Sequence, residues 1–231
     1  MATVAGEGKV ISNFALTHFS ASKHFSNKTY EIEKANAGQP FGNFWQEISI
    51  YCASSVMTAA ASLEALINEL FVAPGDLQRC VQRCVGDFDT FFWGGEVTTR
   101  RCLLFRTRKR IQGLEREPAL EKYKRAIRLL GKPPLSRTDN EYRAAETLIG
   151  FRNYLIHFKP LWDESRRNDD LEQRLKGLFA LSPYVDGGAS FIEMKCMSSG
   201  CSAWAVQTVI DFVSYFGARS GLDAKKLGAF K

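Results

Sequence analysis

An all-α fold is what this amino-acid sequence predicts: an up-and-down helical bundle of five or more helices with an N-terminal arm. Apolar residues return at three- and four-residue intervals in at least five separate segments, the spacing of a helix face. Glycine or proline closes most of these segments and the connections are short, which is how neighbouring helices of a bundle are joined. The chain of 231 residues is 45% apolar and 24% charged, suited to one well-packed soluble domain with appendages. The bundle is expected over residues 42–216, the arm over 1–41 and a loose tail over 217–231.

In the arm, Phe14, Phe19, Phe25 and Tyr30 are scattered among Ser, Asn and Lys without a sustained helical stripe. It is therefore expected to be extended or partly ordered, packing onto the body where it packs at all. His18 and His24 lie there without neighbouring acids or thiols, a poor start for a metal site. The first strong helix runs from Phe44 to Phe71. Ile48, Val56, Leu63, Ile67 and their neighbours cover most of its circumference, so it should be central and buried. Pro74-Gly75 stops it. Within it, Ile48–Ile67 is the most membrane-like window in the chain, but its Ala and Ser content and its Glu64 speak against a transmembrane role.

A second helix is expected over Asp76–Trp93, capped by Asp76 and closed by Gly94-Gly95. Arg100, Arg101, Arg106, Arg108, Lys109 and Arg110 follow, either a solvated helix face or an electrostatic guide for a phosphate backbone. Leu120, Tyr123, Ile127 and Leu130 then mark a helix over Glu117–Leu130. After the loop KPPLSRTDN, Asp139 or Thr138 can cap the next helix. That helix should end near Phe158, because Pro160 disfavours helical geometry at Lys159. Leu171–Leu181 reads as a shorter helix ending at Ser182-Pro183, and Phe191–Met194 as a candidate extended segment. Ser202–Phe216 is a final amphipathic helix.

A net charge of +6 permits a nucleic-acid partner without demonstrating one. The N-terminus lacks the basic start and apolar run of a secretory signal. The six cysteines are diluted through a long chain and read as reduced thiols, so a cytoplasmic location is expected. Cys80 and Cys84 share a helix face, but their spacing to Cys196 and Cys201 matches no common zinc module. No metal or cofactor is assigned.

The residues that carry chemistry gather at the end of the helix before Pro160, in Arg152, Asn153 and His157. Asn153 and His157 fall about 40° apart on one face, with Arg152 about 100° from Asn153. A flexible guanidinium can swing across that angle, so the three groups could converge. A permanent cation beside an imidazole that exchanges protons near neutral pH suits a phosphodiester. The plain alternative is an Arg and a His that merely share a helix. Glu64 and Asn68 stand one turn apart on the central helix in apolar company. Glu64 either reaches water at an edge, pairs with Arg152 or orients His157.

The segment Arg152-Asn153-Tyr154-Leu155-Ile156-His157 resembles the signature of the HEPN domains, an arginine followed by a polar residue and then a histidine after four to six intervening positions. The Phe-Lys-Pro that follows, the upstream ASLEALINELF at Ala61–Phe71 and the EKYKRAIRLLGK stretch are similar to that family in the same order. The resemblance covers about residues 44–216. It implies a helical bundle that dimerises so that two Arg…His motifs face each other in one cleft. Many members are metal-independent endoribonucleases acting as toxins, abortive-infection proteins or CRISPR-associated effectors. Carried over, Arg152 and His157 would be catalytic with Asn153 beside them. Glu64 and Asn68 have no firm counterpart in the family and enter as supporting residues on the helix geometry alone. The implied partners are RNA, a second copy of the chain and an antitoxin or regulatory protein, with no membrane. The alternative within the resemblance is a non-catalytic module that binds RNA, a nucleotide or a partner protein.

Overall fold

Small and aliphatic side chains alternate along the longest helix, and this composition lets other helices approach it on several sides at once. The computed structural model describes residues 14–72, 117–129, 131–157 and 169–220. Among these the chain forms seven helices and no strand. In chain order they are α1 (Phe14–Ala35), α2 (Phe44–Val72), α3 (Ala119–Leu129), α4 (Asn140–Ile156), α5 (Asp169–Leu175), a π-helix (Phe191–Lys195) and α6 (Ser199–Ser220). Helix α2 is the axle, packing against α1, α3, α4 and α6. Cys52, Val56, Ala59, Ala60, Leu63 and Ile67 are wholly buried along it. Among the described residues it is also the one helix long and apolar enough to cross a membrane, and half of that apolar window is buried inside the bundle.

The expected arm is corrected over Phe14–Ala35, which is a full member of the bundle. Its buried face is Ala15, Phe19, Ser22, Ser26 and Thr29, a strict alternation of four- and three-residue steps that hydroxyl side chains hide from an apolar count. The hydroxyls are satisfied locally. Ser22 Oγ donates to the Ser55 carbonyl at 3.0 Å and Ser55 Oγ donates to the Ser22 carbonyl at 3.0 Å. Ser26 Oγ donates to Ser202 Oγ of α6 at 3.2 Å. Small residues thus bring three helices close while the hydroxyls of Ser22, Ser26 and Ser55 are paired. Both ends of α1 are held by carboxylates. Glu69 Oε1 accepts from the Ala15 amide at 2.9 Å, the capping interaction that an exposed helix start needs. Glu33, near the far end, accepts from the Ser199 amide at 2.7 Å and also from the Ser199 hydroxyl, closing the start of α6.

Helix α3 inserts Tyr123 into the core, edge-on to Phe212 at 4.9 Å and to Phe216 at 4.8 Å. Its Oη donates to the Leu63 carbonyl at 2.8 Å. Tyr123→Phe keeps the ring and removes that bond, so it should cost about 1 kcal/mol in urea unfolding. An unchanged midpoint would show that the hydroxyl contributes nothing to stability.

Other boundaries shift for visible reasons. Helix α5 ends at Leu175, where Leu181 was expected, because the chain turns at Gly177 with φ +78°, a conformation glycine adopts freely. The segment expected to be extended is the π-helix, whose Cys196 amide donates to the Phe191 carbonyl at 2.9 Å while Ile192 is buried. Helix α6 starts at Ser199 and continues to Ser220, so residues 217–220 of the expected loose tail are helical. The start of α6 lies against Ala180 so tightly that a Cβ on Gly200 would sit 2.6 Å from the Ala180 carbonyl oxygen. The expected helix Asp76–Trp93, the six cations of residues 100–110, Leu130, Pro160 and residues 221–231 lie outside the described residues.

Candidate functional site

Helix α4 carries the motif, and its sequence explains how it is seated. Tyr142, Ala145, Leu148 and Phe151 form the buried stripe. Asp139 occupies the N-cap position, but its side chain makes no cap bond. Its carboxylate instead accepts from Tyr215 Oη at 2.6 Å and from Arg219 at 2.9 Å, which fastens the start of α4 to the end of α6. Burial and then the bond to Asp139 push the Tyr215 hydroxyl up to about 12. At the other end the helix stops at Ile156, two residues before the expected Phe158. His157 is its C-cap, donating its amide to the Asn153 carbonyl at 2.9 Å.

The three motif side chains divide between two directions. Arg152 turns inward to α2, where its Nη2 donates to Glu64 Oε2 at 2.6 Å. Of the three alternatives for Glu64, the pairing with Arg152 is present, and its carboxylate also reaches water, with 41% of the side chain exposed against 22% for Arg152. A half-exposed pair of this kind is worth about 1 kcal/mol or less, so a phosphate can compete for the guanidinium. Asn153 and His157 face solvent one turn apart, next to Ile156, whose side chain is exposed as well. The His157 imidazole has no hydrogen-bond or ion-pair partner among the described residues. Five residues of helix separate Arg152 from His157 by about 140°, and Glu64 holds the guanidinium on its own side. The expected convergence of guanidinium, amide and imidazole is thus not formed within one chain.

Asn68, one turn on from Glu64, accepts from Lys122 Nζ of α3 at 2.8 Å. Two further neighbours had no signal in the sequence. Tyr154 Oη donates to Glu193 of the π-helix in a short hydrogen bond, tying the last turn of α4 to that segment. Burial raises the Tyr154 hydroxyl above its ordinary range, and the bond to Glu193 adds to it. For Glu193, burial opposes ionisation, but the hydrogen bonds from Tyr154 and Ser190 outweigh it and hold the carboxyl below its usual range. A carboxyl depressed by folding stabilises the native state above its unfolded value and loses that contribution as pH falls through the folded value. Stability should therefore decline below about pH 4, and Glu193→Gln should flatten that decline in thermal melts taken across the acid range.

Among the described residues no three His, Cys, Asp or Glu side chains gather in a way that could hold a metal ion. Cys52, Cys196 and Cys201 are free and buried. Burial pushes the Cys196 thiol up to about 12, so these sulfurs act as small core groups. Cys80 and Cys84 lie outside the described residues. Comparisons with protein-family models, with curated proteins and with solved structures find no match.

Proposed function

We propose that this chain is a metal-independent endoribonuclease of the HEPN type, completed by a second copy of itself, in a toxin or phage-defence role in the cytoplasm. One observation carries the reading: His157 stands exposed and unpartnered among the described residues at the end of α4, five positions after an arginine that a carboxylate already orients. An imidazole left open to solvent is available for proton transfer. Because Arg152 and His157 face different directions in one chain, a two-fold pairing through the end of α4 would bring the groups of two chains to one cleft.

The chemistry needs no outside nucleophile. The ribose 2′-oxygen bonds to phosphorus, its proton passes to an imidazole, and the P–O5′ bond breaks as the leaving oxygen takes a proton. The products are a 2′,3′-cyclic phosphate and a 5′-hydroxyl. In the dimer the two copies of His157 divide the proton transfers. Arg152 offsets charge on the non-bridging oxygens, and Asn153 donates from the exposed face. DNA lacks the 2′-hydroxyl and should be inert. The test is incubation of the purified chain with single-stranded and structured RNA in EDTA, with end-group analysis of the products. Dimeric protein that cleaves no RNA sinks the proposal.

A second reading, a non-catalytic HEPN-like module that binds RNA, a nucleotide or an antitoxin-like partner, is favoured by a different observation. Arg152 is already satisfied by Glu64, which is how a structural arginine behaves. Growth arrest on expression, relieved by His157→Ala, would decide against it.

A further inference from the structure

The last turn of α4 is gripped from two sides by carboxylates of different elements. Glu64 of α2 holds Arg152 at 2.6 Å, and Glu193 of the π-helix accepts from the Tyr154 hydroxyl. Arg152 and Tyr154 stand about 200° apart around the turn, and Ile156, Asn153 and His157 fall between them, at about 40°, 100° and 140° from Arg152. Those three are the exposed residues of the turn, so the open face of the motif has one tether on each side. The tethers differ in stiffness. A guanidinium sits on a long flexible stem, and its half-exposed pair with Glu64 can yield to a phosphate. A tyrosine has two side-chain torsions, so fixing its hydroxyl fixes the ring and the backbone that bears it. Glu193 in turn stands on a seated platform. Its π-helix is closed by the Lys195 amide on the Ser190 carbonyl at 3.1 Å and by the Cys196 amide on the Phe191 carbonyl at 2.9 Å. Ile192 and Cys196 anchor it in the core, and the Ser182 amide holds the Lys195 carbonyl at 2.8 Å. The Ser190 side chain also bonds the Glu193 carboxylate. When a phosphate draws Arg152 from Glu64, the bond to Glu193 is the polar tether that stays.

We propose that Glu193, acting through Tyr154, is a positioning residue of the motif: it fixes the rotation of the last turn of α4 and so the direction in which His157 and Asn153 are presented to RNA. The role rests on the ribonuclease reading of His157. Neither Glu193 nor Tyr154 touches a reacting atom.

Three variants separate this role from simple packing. Tyr154→Phe keeps the ring and deletes the bond, Glu193→Ala deletes it from the other side, and Glu193→Gln keeps an oxygen that accepts it. Cleavage of a defined RNA is measured well below the thermal midpoint, together with hydrogen exchange of the His157 amide, which bonds the Asn153 carbonyl. Tyr154→Phe and Glu193→Ala are each expected to lower kcat about tenfold with KM within about twofold. Exchange of the His157 amide should quicken about fivefold in both. Glu193→Gln should restore kcat and exchange to near the wild-type values. A bond that only stabilises the fold would lower the thermal midpoint and leave both readouts of the folded protein as they are. Wild-type kcat and wild-type His157 exchange in folded Tyr154→Phe or folded Glu193→Ala therefore overturn the role of Glu193 and leave the ribonuclease reading standing. Glu193→Gln as impaired as Glu193→Ala overturns it as well, since the hydrogen bond would then not be what acts. A wild-type chain that cleaves no RNA overturns the ribonuclease reading; faster His157 exchange in Tyr154→Phe then still upholds the tether, and unchanged exchange overturns both.

Discussion

If the proposed ribonuclease reading holds, His157→Ala should lower the rate of RNA cleavage by about 10²- to 10⁴-fold, the largest change in activity expected from a single side chain here. The size follows from the role, since removal of the proton acceptor leaves the 2′-hydroxyl at its own acidity. The specificity follows from the setting. His157 is exposed, and its link to the helix is a backbone amide on the Asn153 carbonyl, which alanine keeps. Stability should therefore change by less than about 0.5 kcal/mol. Single-turnover cleavage of a defined RNA, paired with urea unfolding of the same preparation, checks both halves. An alanine variant that cleaves at the wild-type rate removes His157 from the chemistry. One that loses activity together with stability shows a structural residue.

Gly200→Val produces the largest loss of stability, about 3 kcal/mol or more. A Cβ at this position would meet the Ala180 carbonyl oxygen at 2.6 Å, its amide nitrogen at 2.9 Å and its Cβ at 3.1 Å. Two of these are backbone atoms and cannot rotate away, so α6 or the segment through Ala180 must shift. Overpacking of this kind costs about 1–3 kcal/mol, and the branched side chain adds atoms to the same clash. Even Gly200→Ala should destabilise, although alanine is the better helix former by about 1 kcal/mol. Thermal unfolding of the two variants should give the order wild type, alanine, valine. A more stable alanine variant would mean that the contact relaxes freely.

Legibility in the sequence tracked how each element earns its burial. Helices α2, α3 and α4 were readable because Leu63, Ile67, Ile127 and Leu148 are aliphatic and recur on one face. Helix α1 was not, because its seam is built from Ser22, Ser26 and Thr29, residues that composition assigns to loops. The π-helix spans five residues, too few for a period to register. At the candidate site, Glu64 was conspicuous as an acid among apolar neighbours, and it does meet Arg152. The direction of Arg152 was not readable, because helix geometry places a Cβ and leaves a long side chain free to choose a partner on another helix. Lys122 gave no sign either. In the run EKYKR it looks like one more solvated lysine, yet it is buried and bonded to Asn68 of α2.

The paired serines between α1 and α2 act as a detent against sliding. Each hydroxyl bonds the carbonyl of its opposite number, so an axial slip of one residue, about 1.5 Å, breaks both bonds at once. Helix α1 has 22 residues, about 33 Å at that rise, with Glu69 meeting it near one end and Glu33 leaving it near the other to hold α6. With the middle locked, α1 works as a gauge: both carboxylates reach their targets at a single axial setting. The separation between the far end of α2, which bears Glu64, and the start of α6 is thereby metered by a helix whose own sequence looks like a loop.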